Sequence, residues 1–297
     1  MQKTILIGGA AGLGSAVTSH FIGKIFCKLG YYVFNYRDYP SLIRGGHNFN
    51  VLCVSDKPVF SHSNQYNIIL ALDQKTVNLH RKNLVKKGLI IETGKFVPIL
   101  KKIGGPKILE NDILIGYFFK LFGVDIEILL KEAEKEFGKK EAIKQAIKEG
   151  YGLIETREKL KKIIPAKYFI SGNEAVAIGS LAASMDIHLA YPMTPATSVL
   201  HFLAKRQLEN NILVWQPESE IAAVNMALGA SFSGAKALIG TSGGGFALMS
   251  EALSLAGVAE LPLVVYLAQR TAPSTGVPTY TAQGDLKFAL NAGQGEF

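Results

Sequence analysis

Residues 3–14 read KTILIGGAAGLG, in which a run of aliphatic and β-branched residues leads directly into a glycine turn. Such a run predicts a buried strand, and the turn after it predicts the start of a helix, from about Leu13 to Leu29. The aromatic run YYVFNY follows at residues 31–36 and predicts a second strand. A strand, a helix and a strand in this order are typical of an α/β domain with a parallel sheet and covering helices.

The length and composition indicate two folded domains. The chain has 297 residues, of which 48% are hydrophobic and 19% are charged, a balance typical of globular proteins. After a charged helix predicted near Asp125–Glu149, the polar stretch GLIETREKLKKIIPAK predicts a linker. We therefore predict two consecutive α/β domains, residues 1–164 and 165–297.

The second half repeats the alternation of helices and strands. Residues 218–232 predict an alanine-rich, closely packed helix, and residues 235–245, AKALIGTSGGG, predict a strand followed by a glycine turn. A further strand, LPLVVYLAQR, ends in a charged residue. Polar residues therefore gather at the ends of predicted strands, which is where open α/β sheets bind their ligands.

The charge pattern and the apolar segments argue against two classes of partner. The formal net charge is +8, but the lysines alternate with glutamates in residues 132–150, as on a solvated helix face, so we expect no nucleic-acid partner. The most apolar region, residues 246–268, is interrupted by Glu251, Glu260 and Pro262, which predicts a buried helix and strand and no membrane span. A strand-like N-terminus without a signal peptide predicts a cytoplasmic protein.

The cysteine content limits the metal chemistry of the chain. Cys27 and Cys53 lie in apolar surroundings and are predicted to be buried free thiols. Two cysteines cannot hold a four-cysteine iron–sulfur cluster or a cysteine-based zinc site alone. We therefore predict no metal site on this chain.

The glycine turn of the first half has two interpretations. Glycines at positions 8, 9, 12 and 14 follow the first strand and Asp38 follows the second, but the spacing departs from the dinucleotide fingerprint G-x-G-x-x-G. The turn either cradles a phosphate at a helix N-terminus or needs glycine only for close packing, and the second interpretation is favoured. Arg44, within SLIRGGH, either meets an anion or a neighbouring subunit or belongs to a plain turn.

Three side chains of the second half stand out for their setting. Glu220 begins the apolar helix IAAVNMALGA. A carboxylate at a helix N-terminus can serve only to interact favourably with the helix dipole, but Glu218 can fill that structural role. Arg270 ends an apolar strand, where a guanidinium either binds a carboxylate through two parallel hydrogen bonds or extends into solvent. Thr194 lies between two prolines and either holds a hydroxyl at a pocket edge or is an ordinary turn residue.

Four segments of the second half, taken in order, resemble the α subunit of the 2-oxoacid:ferredoxin oxidoreductases. They are YPMTP (191–195), WQPESE (215–220), GTSGGG (240–245) and AQRTAPSTGVPT (268–279). The first is close to the family's YPITP motif, with Met193 in place of isoleucine. The resemblance covers Phe169–Phe297, and the glycine turn with the RGG segment resembles the family's γ component. It implies a Rossmann-like γ domain followed by an incomplete thiamine-diphosphate pyrimidine-binding domain.

The resemblance implies a role for each candidate residue. Glu220 is the catalytic, cofactor-binding glutamate that hydrogen-bonds the N1′ atom of the thiamine aminopyrimidine, and Thr194, Arg270 and Thr279 bind the 2-oxoacid. The implied reaction is the coenzyme A-dependent oxidative decarboxylation of 2-oxoglutarate or of a broad range of 2-oxoacids, with electrons passed to ferredoxin. The residues do not specify which 2-oxoacid is used.

The resemblance also implies a β subunit that completes the site. Mg²⁺ and the diphosphate site are expected on that partner, because no Gly-Asp-Gly motif with a downstream asparagine occurs here. A [4Fe-4S] cluster is expected there as well, because this chain has only two cysteines. The family's α subunit continues beyond the position of Phe297, so we expect a fragment that is inactive without the β subunit. One alternative is a non-redox thiamine-diphosphate enzyme, which the γ-like half disfavours. The other is a γ-type assembly module with a degenerate α half, which the intact Thr194, Glu220 and Arg270 disfavour.

Overall fold

The computed structural model describes residues 2–38, 46–269 and 284–293. The chain divides into two compact α/β units, Met1–Phe169 and Ile170–Phe297. The division falls slightly after the predicted boundary at Pro165, because the intervening residues pack on the first unit. The Lys167 N–H donates to the Cys27 carbonyl over 2.7 Å. The Phe169 ring lies where a Cβ atom on Gly23 would be 2.7 Å from it.

The first unit is built on a five-stranded mixed sheet. Its strands are β1 (Gln2–Ala10), β2 (Tyr32–Asp38), β3 (His47–Ser55), β4 (Tyr66–Ala71) and β5 (Leu84–Glu92). Their order in the sheet is β2-β3-β1-β4-β5. Strands β1, β4 and β5 run parallel, whereas β3 is antiparallel to β1 and to β2. The sheet is therefore mixed where the opening pattern predicted a parallel one, because the connection from β2 to β3 is too short for a crossover.

The helices described in this unit cover the sheet and extend the core. They are α1 (Ser15–Lys28), α2 (Gln74–His80), α3 (Val97–Ile103), α4 (Leu109–Leu121), α5 (Ile126–Phe137) and α6 (Glu141–Tyr151). Helix α1 buries Phe21, Ile25 and Phe26 completely. The charged helix predicted near residues 125–149 is divided into α5 and α6, because Gly138 between them adopts a left-handed φ of 76°.

Helices α4 and α6 cross at a point that only glycine permits. A Cβ atom on Gly116 would lie 2.0 Å from the carbonyl oxygen of Ile147, and one on Gly150 would lie 1.9 Å from that of Ile113. Both neighbours are backbone atoms, which cannot rotate away. The two glycines therefore set how closely these helices pack.

The second unit is built on a four-stranded parallel sheet, as its alternating pattern predicted. The elements are α7 (Gly172–Ala182), β6 (Ile187–Leu189), α8 (Thr197–Ala204), α9 (Gln207–Asn210), β7 (Leu213–Trp215), α10 (Glu220–Phe232), β8 (Ala237–Thr241), α11 (Gly243–Ala247), α12 (Ser250–Val258), β9 (Val264–Leu267) and α13 (Asp285–Ala289). The sheet order is β7-β6-β8-β9. All neighbouring strands are parallel, so Leu189, Trp215, Thr241 and Leu267 end at one edge, called here the carboxyl edge.

Two features predicted from composition can be compared with the fold. In the part of the chain that the structure describes, no helix is both long and apolar enough to cross a bilayer. Cys27 and Cys53 are buried free thiols, as predicted. Burial raises the pKa of the Cys27 thiol to about 11, more than the nearby Lys167 charge lowers it.

Candidate functional site

Glu220 is a buried carboxylate at the start of helix α10. Ser219 is the N-cap of this helix, and its hydroxyl accepts a hydrogen bond from the Ala222 N–H over 3.1 Å. The cap fixes the first turn, and Glu220 is left only 5% exposed. Ala223 and Val224 in the same turn are fully buried. The apolar face of α10 thus carries the carboxylate into the interior of the unit.

Gly245 makes room for this carboxylate beside strand β8. A Cβ atom on Gly245 would lie 2.8 Å from Cγ and 2.9 Å from Oε1 of Glu220, and 2.3 Å from Oγ1 of Thr241. These separations are shorter than atoms tolerate, so a larger residue at this position would displace one or both of these side chains. Thr241 is the last residue of β8, which places the Glu220 carboxyl group at the carboxyl edge, where parallel sheets bind ligands.

Two further polar groups at this edge are buried without a partner among the described residues. They are the Ser242 hydroxyl and Oδ2 of Asp285. Asp285 packs against Gly243, where a Cβ atom would lie 2.1 Å from Oδ1. Buried polar atoms without protein partners are uncommon, which makes this edge of the sheet a candidate functional site. Asp285 was not singled out from the sequence, although it resembles Glu220 as a carboxylate at the start of a segment rich in apolar residues, DLKFAL.

Thr194 lies in the connection between β6 and α8. Strand β6 pairs with both β7 and β8, so this connection leaves the carboxyl edge between the strands that precede and follow Glu220. Thr194 is exposed, and the Pro195 carbonyl beside it accepts a hydrogen bond from Asn173 over 2.8 Å. The fold therefore places Thr194 and Glu220 on adjacent connections of one edge.

Arg270 and Thr279 lie outside the described residues. The described residues that flank them, Ala268 and Asp285, both lie beside the end of strand β8. The Ala268 N–H donates to the Thr241 carbonyl over 2.9 Å, and Asp285 packs on Gly243, two residues further along the chain. The proposed roles of Arg270 and Thr279 stay predictions.

His188 is a further titratable group buried near β8. Burial lowers its pKa to about 4, so the imidazole is neutral at physiological pH. Its ring lies against Gly240, where a Cβ atom would be 3.1 Å from Cε1. A backbone contact with Leu238 opposes this lowering of the pKa but is outweighed by burial. The histidine fills space between β6 and β8.

The glycine turn of the first unit is explained by backbone geometry and packing. Gly12 and Gly14 have left-handed φ values of 90° and 84°. A Cβ atom on Gly14 would lie 2.8 Å from Nδ2 of Asn111, which donates to the Leu13 carbonyl over 2.8 Å. These contacts favour the interpretation of the turn as a tightly packed connection. Arg44 lies outside the described residues.

The described residues contain no candidate metal site. Within residues 2–38, 46–269 and 284–293, no group of three or more His, Cys, Asp or Glu side chains is arranged to hold an ion. The site at the carboxyl edge offers carboxyl and hydroxyl groups, small residues and apolar walls.

The family models match each unit in turn. Residues 178–295 match the model described as "Pyruvate flavodoxin/ferredoxin oxidoreductase, thiamine diP-bdg", so the second unit contains a thiamine-diphosphate-binding domain. Residues 4–153 match the model described as "Pyruvate ferredoxin/flavodoxin oxidoreductase". The chain belongs to the 2-oxoacid:ferredoxin oxidoreductase family, as its four motifs predicted.

Individual relatives agree with this membership. The chain is 30% identical over 371 aligned positions to a 2-oxoacid:ferredoxin oxidoreductase subunit alpha of Sulfolobus sp, an alignment that spans 100% of the chain and 59% of the relative. It is 37% identical over 205 positions to the 2-oxoglutarate oxidoreductase subunit KorA of Mycobacterium tuberculosis, covering 63% of the chain and 31% of that protein. A solved 2-oxoglutarate:ferredoxin oxidoreductase of Magnetococcus marinus is similar with a TM-score of 0.79 and 26% identity, over 99% of this chain and 57% of that one.

Proposed function

We propose that this chain is part of a thiamine-diphosphate-dependent 2-oxoacid:ferredoxin oxidoreductase. The proposed reaction is the oxidative decarboxylation of a 2-oxoacid with coenzyme A to an acyl-CoA, with electrons passed to ferredoxin. The observation that carries the proposal is the buried Glu220 carboxyl group held against Gly245, inside a thiamine-diphosphate-binding domain. The Magnetococcus marinus structure contains 2-oxoglutarate, coenzyme A and succinyl-CoA, which supports 2-oxoglutarate or a broader range of 2-oxoacids as substrate.

The residues present fit the aminopyrimidine end of the cofactor. Thiamine diphosphate, when bound, supplies nucleophilic attack on the 2-oxoacid carbonyl and accepts the charge left by decarboxylation. Glu220 offers a buried carboxyl group packed against Gly245, and the Ser242 hydroxyl, which has no partner among the described residues, lies on the adjoining turn. In the proposal, Glu220 hydrogen-bonds the ring nitrogen N1′ and shares a proton with it, which is general acid–base assistance by a positioned side chain.

The 2-oxoacid is proposed to bind beside this ring. Thr194 offers a hydroxyl from the connection after β6, which the fold brings to the same edge as Glu220. Arg270 is proposed to bind the substrate carboxylate through two parallel hydrogen bonds, as guanidinium groups do. Thr279 is proposed to complete the same pocket.

A partner subunit is required by this proposal. The sequence holds only two cysteines, too few for a four-cysteine cluster, so a [4Fe-4S] cluster, Mg²⁺ and the diphosphate site are assigned to a β subunit. The first unit is proposed to be the γ-like assembly domain, and the complex to work in the cytoplasm with ferredoxin. The chain spans 59% of the length of the first relative described above, so these assignments concern the whole enzyme.

Replacement of Glu220 tests the function directly. In the assembled enzyme, Glu220→Gln should lower 2-oxoacid-dependent ferredoxin reduction by about 10²–10⁴, the usual contribution of a positioned acid–base group. Glu218→Gln is the matched control, because this neighbouring carboxylate is exposed. Size-exclusion chromatography should show both variants assembled. Exchange of the thiazolium C2 proton, followed by NMR, should slow only in Glu220→Gln, and exchange at the wild-type rate would remove Glu220 from this role.

Calorimetry tests the division of the cofactor between subunits. The chain alone should bind thiamine diphosphate with Mg²⁺ weakly, because the charged diphosphate finds its ligands on the β subunit. Addition of the β subunit should restore tight binding. Micromolar binding to the isolated chain would show that the diphosphate site is on this chain.

A further inference from the structure

Asn173 lies in the first turn of α7, where the helix start is fixed by other residues. Ser171 is the N-cap, and its hydroxyl accepts from the Glu174 N–H over 3.2 Å. The Glu174 carboxylate accepts in return from the Ser171 N–H over 2.7 Å. This capping box satisfies the turn without Asn173. The amide of Asn173 is therefore available for contacts outside its own helix.

The Asn173 amide joins three separate parts of the second unit. Its Nδ2 donates to the Pro195 carbonyl over 2.8 Å and also to the Ser198 hydroxyl. Its Oδ1 accepts from the Tyr266 hydroxyl over 2.5 Å. A primary amide has two N–H donors and one carbonyl acceptor, and all three are used here. One side chain on α7 thus contacts the connection from β6 to α8, the first turn of α8, and strand β9.

The orientation of the Asn173 amide is fixed by the Pro195 carbonyl. A carbonyl oxygen can only accept, so Nδ2 must face Pro195. This leaves Oδ1 facing Tyr266, and Oδ1 can only accept, so the Tyr266 hydroxyl donates to it. The Tyr266 hydrogen bond therefore supports the orientation in which Nδ2 reaches the connection that carries Thr194.

We propose that Asn173 is a positioning residue for the 2-oxoacid, an inference that rests on the proposed function. It holds the peptide carbonyl that follows Thr194 at a fixed place relative to β9. The amide therefore ties the connection that carries Thr194, which is proposed to bind the substrate, to strand β9 and helix α7. Asn173 acts through Pro195 and Tyr266 and makes no contact with the substrate itself.

A purely structural role gives a different expectation. If the three hydrogen bonds only stabilised the fold, their loss would lower the melting temperature and leave the Michaelis constant for the 2-oxoacid unchanged. If they position the connection that carries Thr194, the Michaelis constant rises because this connection is no longer held in the binding arrangement. The affinity for thiamine diphosphate separates this effect from a change at Glu220.

The test compares three variants in the assembled enzyme. Asn173→Ala should raise KM for the 2-oxoacid about tenfold, with a smaller change in kcat and an unchanged calorimetric Kd for thiamine diphosphate. Asn173→Asp keeps the shape and the acceptor for Tyr266 but loses both donors, so it should show the same rise in KM. Tyr266→Phe removes only the orienting hydrogen bond and should give a smaller rise. If Asn173→Ala does not fold, the latter two variants still decide the question.

Asn210→Ala is the matched control. Asn210 is exposed on α9, and its Nδ2 donates to the Arg206 carbonyl over 2.9 Å, the same kind of bond in the same unit. Its KM should equal that of the wild type. If the three test variants also keep the wild-type KM, the positioning role of Asn173 is refuted while the proposed function stands. A wild-type complex without 2-oxoacid turnover would refute both.

Discussion

Gly245→Ala is a change of one methyl group that should disable the site while leaving the fold largely intact. The added Cβ atom would lie 2.3 Å from Oγ1 of Thr241 and less than 3 Å from both Cγ and Oε1 of Glu220. Each of these atoms belongs to a side chain that can rotate. We therefore expect the contact to be relieved by movement of the Glu220 carboxyl group, which the proposed chemistry requires to be fixed.

The expected magnitudes differ between stability and activity. Overpacking relieved by side-chain rotation costs about 1–2 kcal/mol, at the lower end of the range for small-to-large substitutions. In a protein of this size that lowers the melting temperature by only a few degrees, on the order of 3–6 °C. Displacement of a catalytic group by about 1 Å is expected to reduce turnover by about 10². Activity should therefore fall far more than stability.

The assay measures both quantities on the same preparation. Turnover is followed as 2-oxoacid-dependent ferredoxin reduction, and the melting temperature by circular dichroism. Gly229→Ala is the matched control, because Gly229 lies in α10 with Glu220 and a Cβ atom there would meet nothing within 4 Å. The control should be active and at least as stable as the wild type, since alanine favours a helix.

Full activity of Gly245→Ala would refute the reasoning. It would show that the Glu220 carboxyl group can move without consequence, and therefore that this carboxyl group does not have the proposed role. Loss of activity together with global unfolding would also contradict the expectation, since the clashing atoms are all side-chain atoms.

Three further predictions follow from other positions. Gly150→Ala should destabilise the first unit by about 3 kcal/mol in urea titrations, because its Cβ would meet the backbone oxygen of Ile113 at 1.9 Å, whereas the exposed Gly152→Ala should be neutral. Arg270→Lys should lower kcat/KM for the 2-oxoacid about tenfold or more without weakening thiamine diphosphate binding, because lysine lacks the planar fork, and the reverse pattern would assign Arg270 to the cofactor. Burial raises the pKa of Asp112 from 3.8 to about 7. The protonated side chain is favoured in the folded state, so its contribution to stability is complete below pH 3.8 and is lost as the pH rises to about 7. The stability of Asp112→Asn relative to the wild type should therefore increase across that window, and a constant difference would contradict the burial argument.

The second unit was well predicted because its local patterns and its tertiary structure agree. Its strands are short apolar runs closed by polar or glycine residues, and a parallel α/β sheet needs that alternation. Glu220 could be singled out because a carboxylate in an otherwise apolar helix is unfavourable when buried, unless it has a partner or a function. Asn173 could not be found in this way, since its three partners are distant in sequence and an asparagine near a helix start is unremarkable.

The first unit shows where local patterns are insufficient. Strand β3, with the sequence HNFNVLCVS, was not predicted, and its insertion between β1 and β2 makes the sheet mixed. Strand direction depends on the length of the connection and on the pairing partner, and neither is encoded in the residues of the strand itself. The glycines at 116 and 150 likewise have no local signature, because they are required by the crossing of two helices.

The end of strand β9 and the start of helix α13 are both held beside the end of β8. The Ala268 N–H is bonded to Thr241, Asp285 packs on Gly243, and the ring centroids of Phe288 and Phe246 are 5.6 Å apart. Because these two points are fixed close together, the entropy of closing the connection between them depends only weakly on its length. The number of residues between Ala268 and Asp285 can therefore vary among relatives at little cost in stability.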